Sequence, residues 1–173
     1  RAFTLLLLLF LRQDRQCDMQ DLRVQGAGLG LVIHAKRLAK AIDVHLQGIP
    51  LSLTHDFKIP TYKATVLRMQ RTMAVSYRWQ PEEVELCSGF GFNMSRWQME
   101  QLLSVLQACN CQYVWIDHIS IPQLGFSDMK RTLLSRMMAV YASAGYTLVL
   151  RSMELEGCRY HQRGWTLQEY CNA

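Results

Sequence analysis

Four apolar, mostly β-favouring residues, Tyr113, Val114, Trp115 and Ile116, run straight into Asp117 and His118, and this junction limits what the chain can fold into. An unbroken apolar run this short suits a strand buried on both faces, as in a parallel sheet. The change to Asp-His sets polar groups just past the strand's carboxyl end. In open α/β sheets that edge is where ligands bind. AVSYRW at 74–79 and YTLVLRS at 146–152 follow the same apolar-then-polar plan, and RGWTLQEY at 163–170 comes after them.

Between these runs the apolar spacing becomes that of a helix. Ser95 with Gln98 forms a capping box, and Met99, Leu102, Leu103, Leu106 and Cys109 recur behind it at helical spacing. Ser127 or Asp128 is expected to cap a second helix, with Leu133, Leu134, Met137, Met138, Tyr141 and Ala144 on its apolar face and Gly145 at its C′ position. The expected order is strands at 73–77, 113–116 and 146–150, helices near 95–109 and 128–144, and a loop over 80–93. A last helix, opened by Gly164, carries Trp165 and Glu169. Strands alternating with helices imply right-handed crossovers and a parallel sheet. Tyr77-Arg78, Asp117-His118 and Arg151-Ser152 then fall on one edge, which locates a cleft without naming its chemistry.

The first seventy residues carry weaker signals. QGAGLG at 25–30 precedes a stretch, 31–42, that reads as a helix. Its glycine spacing matches neither the dinucleotide fingerprint nor a P-loop, so a turn is expected there rather than a phosphate cradle. IDVHL at 42–46 and IPLSL at 49–53 read as a hairpin or two short strands, and 63–67 as another strand. The apolar run LLLLLFL at 5–11 is too short to span a bilayer as a helix and has no small-residue cleavage site after it. A buried helix, or sequence at a fragment edge, is expected there, since the chain starts at Arg1 and reads as part of a longer protein.

Composition bounds the class. With 173 residues, 50% hydrophobic and 19% charged, the chain is long enough for a full core and reads as one domain with an N-terminal layer. Net charge is +5 but uneven: residues 1–80 hold 12 Lys/Arg against 5 Asp/Glu, and residues 81–173 hold 7 against 9. The basic residues are scattered, so a solvated surface is expected rather than a specific nucleic-acid site. The six cysteines include no CxxC pair. Cys109-x-Cys111 with His118 lacks an evident fourth ligand for zinc. Reduced, mostly buried thiols, no metal and a cytoplasmic setting are the expectation.

Three segments together resemble the heterokaryon-incompatibility (HET) domain: AVSYRWQ at 74–80, VWIDHISIPQ at 114–123 and RGWTLQE at 163–169, with SRMMAVYASA at 135–144 similar to the family's helix between them. The resemblance covers about 72–170. It divides the chain into an N-terminal α+β extension at 1–70 and a HET domain at 71–173 that is expected to continue further. Ser120 stands where the family usually has Cys, Pro122 where it has Asp, and Gln80 where it has Gly. A catalytic role for that cysteine is thus not available here.

The HET domain is in turn similar to the Toll/interleukin-receptor (TIR) fold, which implies a flavodoxin-like parallel sheet with helices on both faces. Ser76-Tyr77-Arg78 resembles the opening strand of TIR domains. Trp165-x-x-x-Glu169 resembles the arrangement that carries the glutamate of TIR enzymes that cleave NAD. One helical turn separates the two, so indole and carboxylate share a face. The resemblance implies Glu169 as a catalytic carboxylate acting on NAD as substrate, with no further cofactor. Tyr77, Arg78, Trp79, Asp117, His118 and Trp165 would line the cleft. The alternative for the last pair is a core tryptophan beside a glutamate ion-paired to Arg163 or Arg151. Two functions follow from the resemblance: a glycohydrolase cutting the nicotinamide–ribose bond in a cell-death or defence response, or a signalling module acting by self-association or by binding other death-response proteins.

Overall fold

The structure, a computed structural model, describes residues 16–49, 57–87 and 89–150. In chain order its elements are α1 (Met19–Gln25), β1 (Leu31–His34), α2 (Ala35–Leu46), β2 (Thr61–Lys63), α3 (Val66–Met69), β3 (Thr72–Tyr77), β4 (Val84–Cys87) and β5 (Phe90–Phe92). There follow α4 (Arg96–Ala108), β6 (Tyr113–Ile116), α5 (Asp117–Ser120), α6 (Ser127–Ser135), α7 (Met137–Ser143) and β7 (Tyr146–Leu150). The apolar run at 5–11, most of IPLSL at 49–53, Arg151, Ser152, Arg163, Trp165 and Glu169 lie outside the described residues.

β3 is buried at all six positions because it is sandwiched within the sheet. β6 lies parallel on one side of it, with Val75 opposite Ile116, and β7 parallel on the other, with Tyr77 opposite Leu150. The three apolar runs of the sequence therefore form the parallel part of one sheet. The full order is β2-β1-β6-β3-β7, and β1 runs antiparallel to both β2 and β6. The sheet is thus mixed, not parallel throughout, and strands from both sides of residue 70 share it. An apolar run such as LVIH signals burial but not direction, which the path of the chain decides.

Period two divides the core. Ile33, Met73, Val75, Val114 and Ile116 face one way, against Leu38 and Ile42 of α2, Leu102 of α4, and Leu86 and Phe92 of the hairpin. Val32, Ala74 and Trp115 face the other way, against Met69 of α3, Leu133 of α6, and Val140 and Tyr141 of α7. Helices therefore flank both faces of the sheet. Trp115, 1% exposed, keeps its indole N–H satisfied by donating to the Leu29 carbonyl at 3.1 Å.

Four local readings change. Residues 31–34 are a strand and only 35–46 a helix, so IDVHL is its last turns rather than part of a hairpin. Burial of Ala35, Leu38, Ala41 and Ile42 on one helical face outweighs the strand preference of Ile42 and Val44. Residues 63–67 divide into the end of β2 and the start of α3, whose N-cap Thr65 accepts from the Arg68 N–H at 3.3 Å. The loop expected over 80–93 contains the β4–β5 hairpin, turned by Gly89 at φ +71°. The helix expected at 128–144 breaks at Arg136 into α6 and α7, and its N-cap is Phe126, without a side-chain cap. The Ser95–Gln98 capping box forms in both directions: Ser95 Oγ accepts from the Gln98 N–H at 3.2 Å, and Gln98 Oε1 accepts from the Ser95 N–H at 2.8 Å.

QGAGLG leads into β1, not into a helix, and most of its carbonyls accept hydrogen bonds. Arg136 donates to the Gly28 oxygen at 2.8 Å, and Trp115 holds that of Leu29. The segment is a structural turn. At Gly30, φ is +88° and a Cβ would overlap the backbone oxygen of Ser120.

Candidate functional site

Because β3 and β6 are parallel neighbours, the residues that follow them emerge at one edge of the sheet. From β6, α5 turns at once. The Ile116 N–H donates to buried Ser120 Oγ at 3.1 Å, closing the turn. Gln123 donates its side-chain amide to the carbonyls of Ile121 at 2.9 Å, His118 at 3.3 Å and Asp117 at 3.5 Å. The serine at the family's cysteine position is thus an anchor for the turn.

From β3, residues 78–80 are pinned by α4 and by Asn93, the residue after β5. Fully buried Gln98 donates to the Arg78 carbonyl at 3.0 Å, and the Gln80 N–H donates to the Asn93 carbonyl at 2.9 Å. These two supports fix the central contact. The indole N–H of Trp79 donates to both carboxylate oxygens of Asp117, at 3.1 Å each. The His118 N–H donates to Asp117 Oδ1 at 2.7 Å. The Trp79 and His118 rings meet edge to face at 5.0 Å. His118 Nε2 lies 3.6 Å from Glu83 Oε1, while His118 Nδ1 is buried and has no hydrogen-bond partner among the described residues.

Tyr77 closes the floor and donates its hydroxyl to Asn93 Oδ1 at 3.0 Å. Burial pushes its pKa well above the usual tyrosine value, and the nearby Asp117 and Glu83 carboxylates push it further, so the phenol stays neutral. The structure brings Tyr77, Trp79, Asp117 and His118 together, with Arg78 exposed at the same edge. Trp165 and Glu169 lie outside the described residues. Glu83, Asn93 and Gln98 join the site without having been singled out for it. Gln98 carried a signal as a cap residue, but its second role depends on a distant carbonyl.

Chemically, the arrangement offers an indole 41% exposed and locked in orientation, with a carboxylate at its edge. Such a plate can stack on an aromatic base while the carboxylate accepts from hydroxyls. Among the described residues no three His, Cys, Asp or Glu side chains are grouped to hold a metal ion, and Cys17, Cys87, Cys109 and Cys111 are free thiols. Among the same residues no helix is long and apolar enough to cross a membrane.

Fold and site define a mixed α/β protein with a polar cluster at the carboxyl edge of its parallel strands. The family model described as Heterokaryon incompatibility protein (HET) matches residues 72–158, half of the chain, and the chain belongs to that family. Membership marks it as a heterokaryon-incompatibility, cell-death-related protein. The segment RGWTLQE at 163–169 lies beyond the matched span. No curated protein and no solved structure matches the chain.

Proposed function

We propose that this HET protein acts in a cell-death response by hydrolysing the nicotinamide–ribose bond of NAD at the carboxyl edge of its sheet, in the manner of TIR-like enzymes. The observation that carries the proposal is the Trp79–Asp117 pair, an exposed aromatic plate held by a carboxylate where β3 and β6 end. In this reading Trp79 stacks on a base, Asp117 and Arg78 hold ribose and phosphate, and Trp165 helps position Glu169. Nicotinamide carries its own positive charge away, so no strong general acid is needed. The site must instead supply negative charge near the ribose as oxocarbenium character grows, which is the role of Glu169.

Nicotinamide release by the full-length protein, forced to oligomerise, tests this. Glu169→Gln keeps shape but removes charge and is expected to lower turnover by roughly 10²-fold. Glu169→Asp, which withdraws the carboxylate by about 1 Å, should lose on the order of 10²-fold too. Turnover that survives Glu169→Gln contradicts the mechanism. A second reading, a non-enzymatic module acting in the cytoplasm by self-association or by binding other death-response proteins, is favoured by α3. Its Val66 and Leu67 are 66% and 58% exposed side by side. Well-folded, clustered wild type that releases no nicotinamide supports that reading instead.

A further inference from the structure

We infer that the chain has a second binding site, for a small molecule with an apolar body and a single anionic group, in the cavity between the start of α1, the approach to β2 and the tip of the β4–β5 hairpin. The cavity has a volume of about 520 Å³. Sites for small organic ligands span roughly 300–1,000 Å³ and combine apolar walls with a few convergent polar groups. Here Ile59, Phe90, Ile119 and Phe126 supply the walls, from four separate parts of the chain. Gly89, at φ +71°, makes the hairpin tip that forms one rim. Ile119 belongs to the same turn as Asp117 and His118, so this cavity and the cleft are neighbours that share no other residue named here.

The polar groups set the charge of the ligand. Asp18 Oδ1 already accepts from the N–H groups of Gln20 and Asp21, at 2.8 and 2.9 Å, as the cap of α1. Thr61 donates its hydroxyl to the Cys17 carbonyl at 2.7 Å. Lys58 and the Gln20 amide also line the cavity, and among the described residues neither side chain has a hydrogen-bond or ion-pair partner. Asp18 is committed through Oδ1 to capping α1, and the donors left free in the lining are the Lys58 ammonium and the Gln20 amide, which together suit a carboxylate or sulfonate. The thiol of Cys87 borders the same space. Burial first, then the Glu85 carboxylate, raises its pKa, so it contributes a neutral wall.

The test uses two probes with one body, naphthalene-2-sulfonate and 2-naphthylmethylammonium, followed by amide chemical-shift titration of the intact protein. The sulfonate is expected to move the amides of Gln20, Lys58 and Ile119, and the ammonium to leave them in place. Lys58→Gln should weaken sulfonate binding about tenfold, the size of one charge-assisted contact. Asp18→Asn keeps a good N-cap, so the fold survives. It removes a negative charge from the lining, and sulfonate binding should tighten. Unmoved amides at millimolar sulfonate, equal binding of the ammonium, unchanged affinity in Lys58→Gln, or weaker binding in Asp18→Asn would each overturn the assignment.

Discussion

Replacing Gly30 by alanine should strike the fold and the Trp79–Asp117 cluster together, and Gly26 provides the control. Gly30 sits at φ +88°, where an L side chain costs about 1–2 kcal/mol. Its Cβ would also overlap the Ser120 carbonyl oxygen, a backbone atom that cannot swing aside. Relieving such overpacking typically costs about 1–3 kcal/mol, so the total is about 2–5 kcal/mol. Gly26 has a similar φ, +84°, but nothing lies within 4 Å of its Cβ position. Gly26, at φ +84° and ψ +140°, lies outside the left-handed helical well, so Gly26→Ala should cost the backbone term alone, about 1–3 kcal/mol. The excess cost of Gly30→Ala over Gly26→Ala reports the contact with α5, and at about 2–4 °C per kcal/mol it is expected to lower Tm by several degrees. Thermal and urea unfolding of both variants measure it. Ser120 closes the turn that carries Asp117, so Gly30→Ala should also disturb the Trp79 environment, seen as a shift in its fluorescence. If Gly30→Ala unfolds no earlier than Gly26→Ala, the close approach of the glycine turn to α5 is wrong.

Two further outcomes follow from burial. The Tyr77 phenol has a pKa raised on folding, so its contribution to stability is complete below about pH 10, the unfolded value, and is lost as pH rises further. Tyr77→Phe should flatten that alkaline loss in a pH series of unfolding midpoints and cost about 1–3 kcal/mol at neutral pH by leaving Asn93 without its donor. Cys17, Cys87 and Cys111 are buried with raised pKa values, whereas Cys109 is partly exposed. Alkylation at pH 7 followed by mass spectrometry should label Cys109 first among these four, and Cys87 reacting at the rate of a free thiol would contradict its burial.

The parallel half of the sheet was legible because β3 and most of β6 are buried on both faces, which leaves an unbroken apolar run in the sequence, while β7, last in the described strand order and buried only at Leu150, showed through its apolar run alone. The capping box at Ser95 was legible because its two partners are three residues apart. The junction at His34 was not, since the cap there makes no side-chain hydrogen bond and apolar residues continue across it. Nor was the β4–β5 hairpin, where two glycines dilute the alternation that turns Leu86 and Phe92 inward. At the cleft, the sequence located the strand ends that carry Trp79 and Asp117. Their mutual hydrogen bond, and the arrival of Glu83, Asn93 and Gln98, depend on packing between segments far apart in the chain.

The most direct test of the proposed nucleotide site is calorimetric titration of NAD into full-length Glu169→Gln protein, with and without Asp117→Asn. The Glu169→Gln change is expected to slow turnover roughly 10²-fold, so a titration completed within that window reads binding. Asp117→Asn removes the charge while leaving an oxygen to accept from the Trp79 indole. The account predicts saturable binding to Glu169→Gln protein, weakened about tenfold or more when Asp117→Asn is added. Saturable binding with the same affinity in both proteins would contradict it.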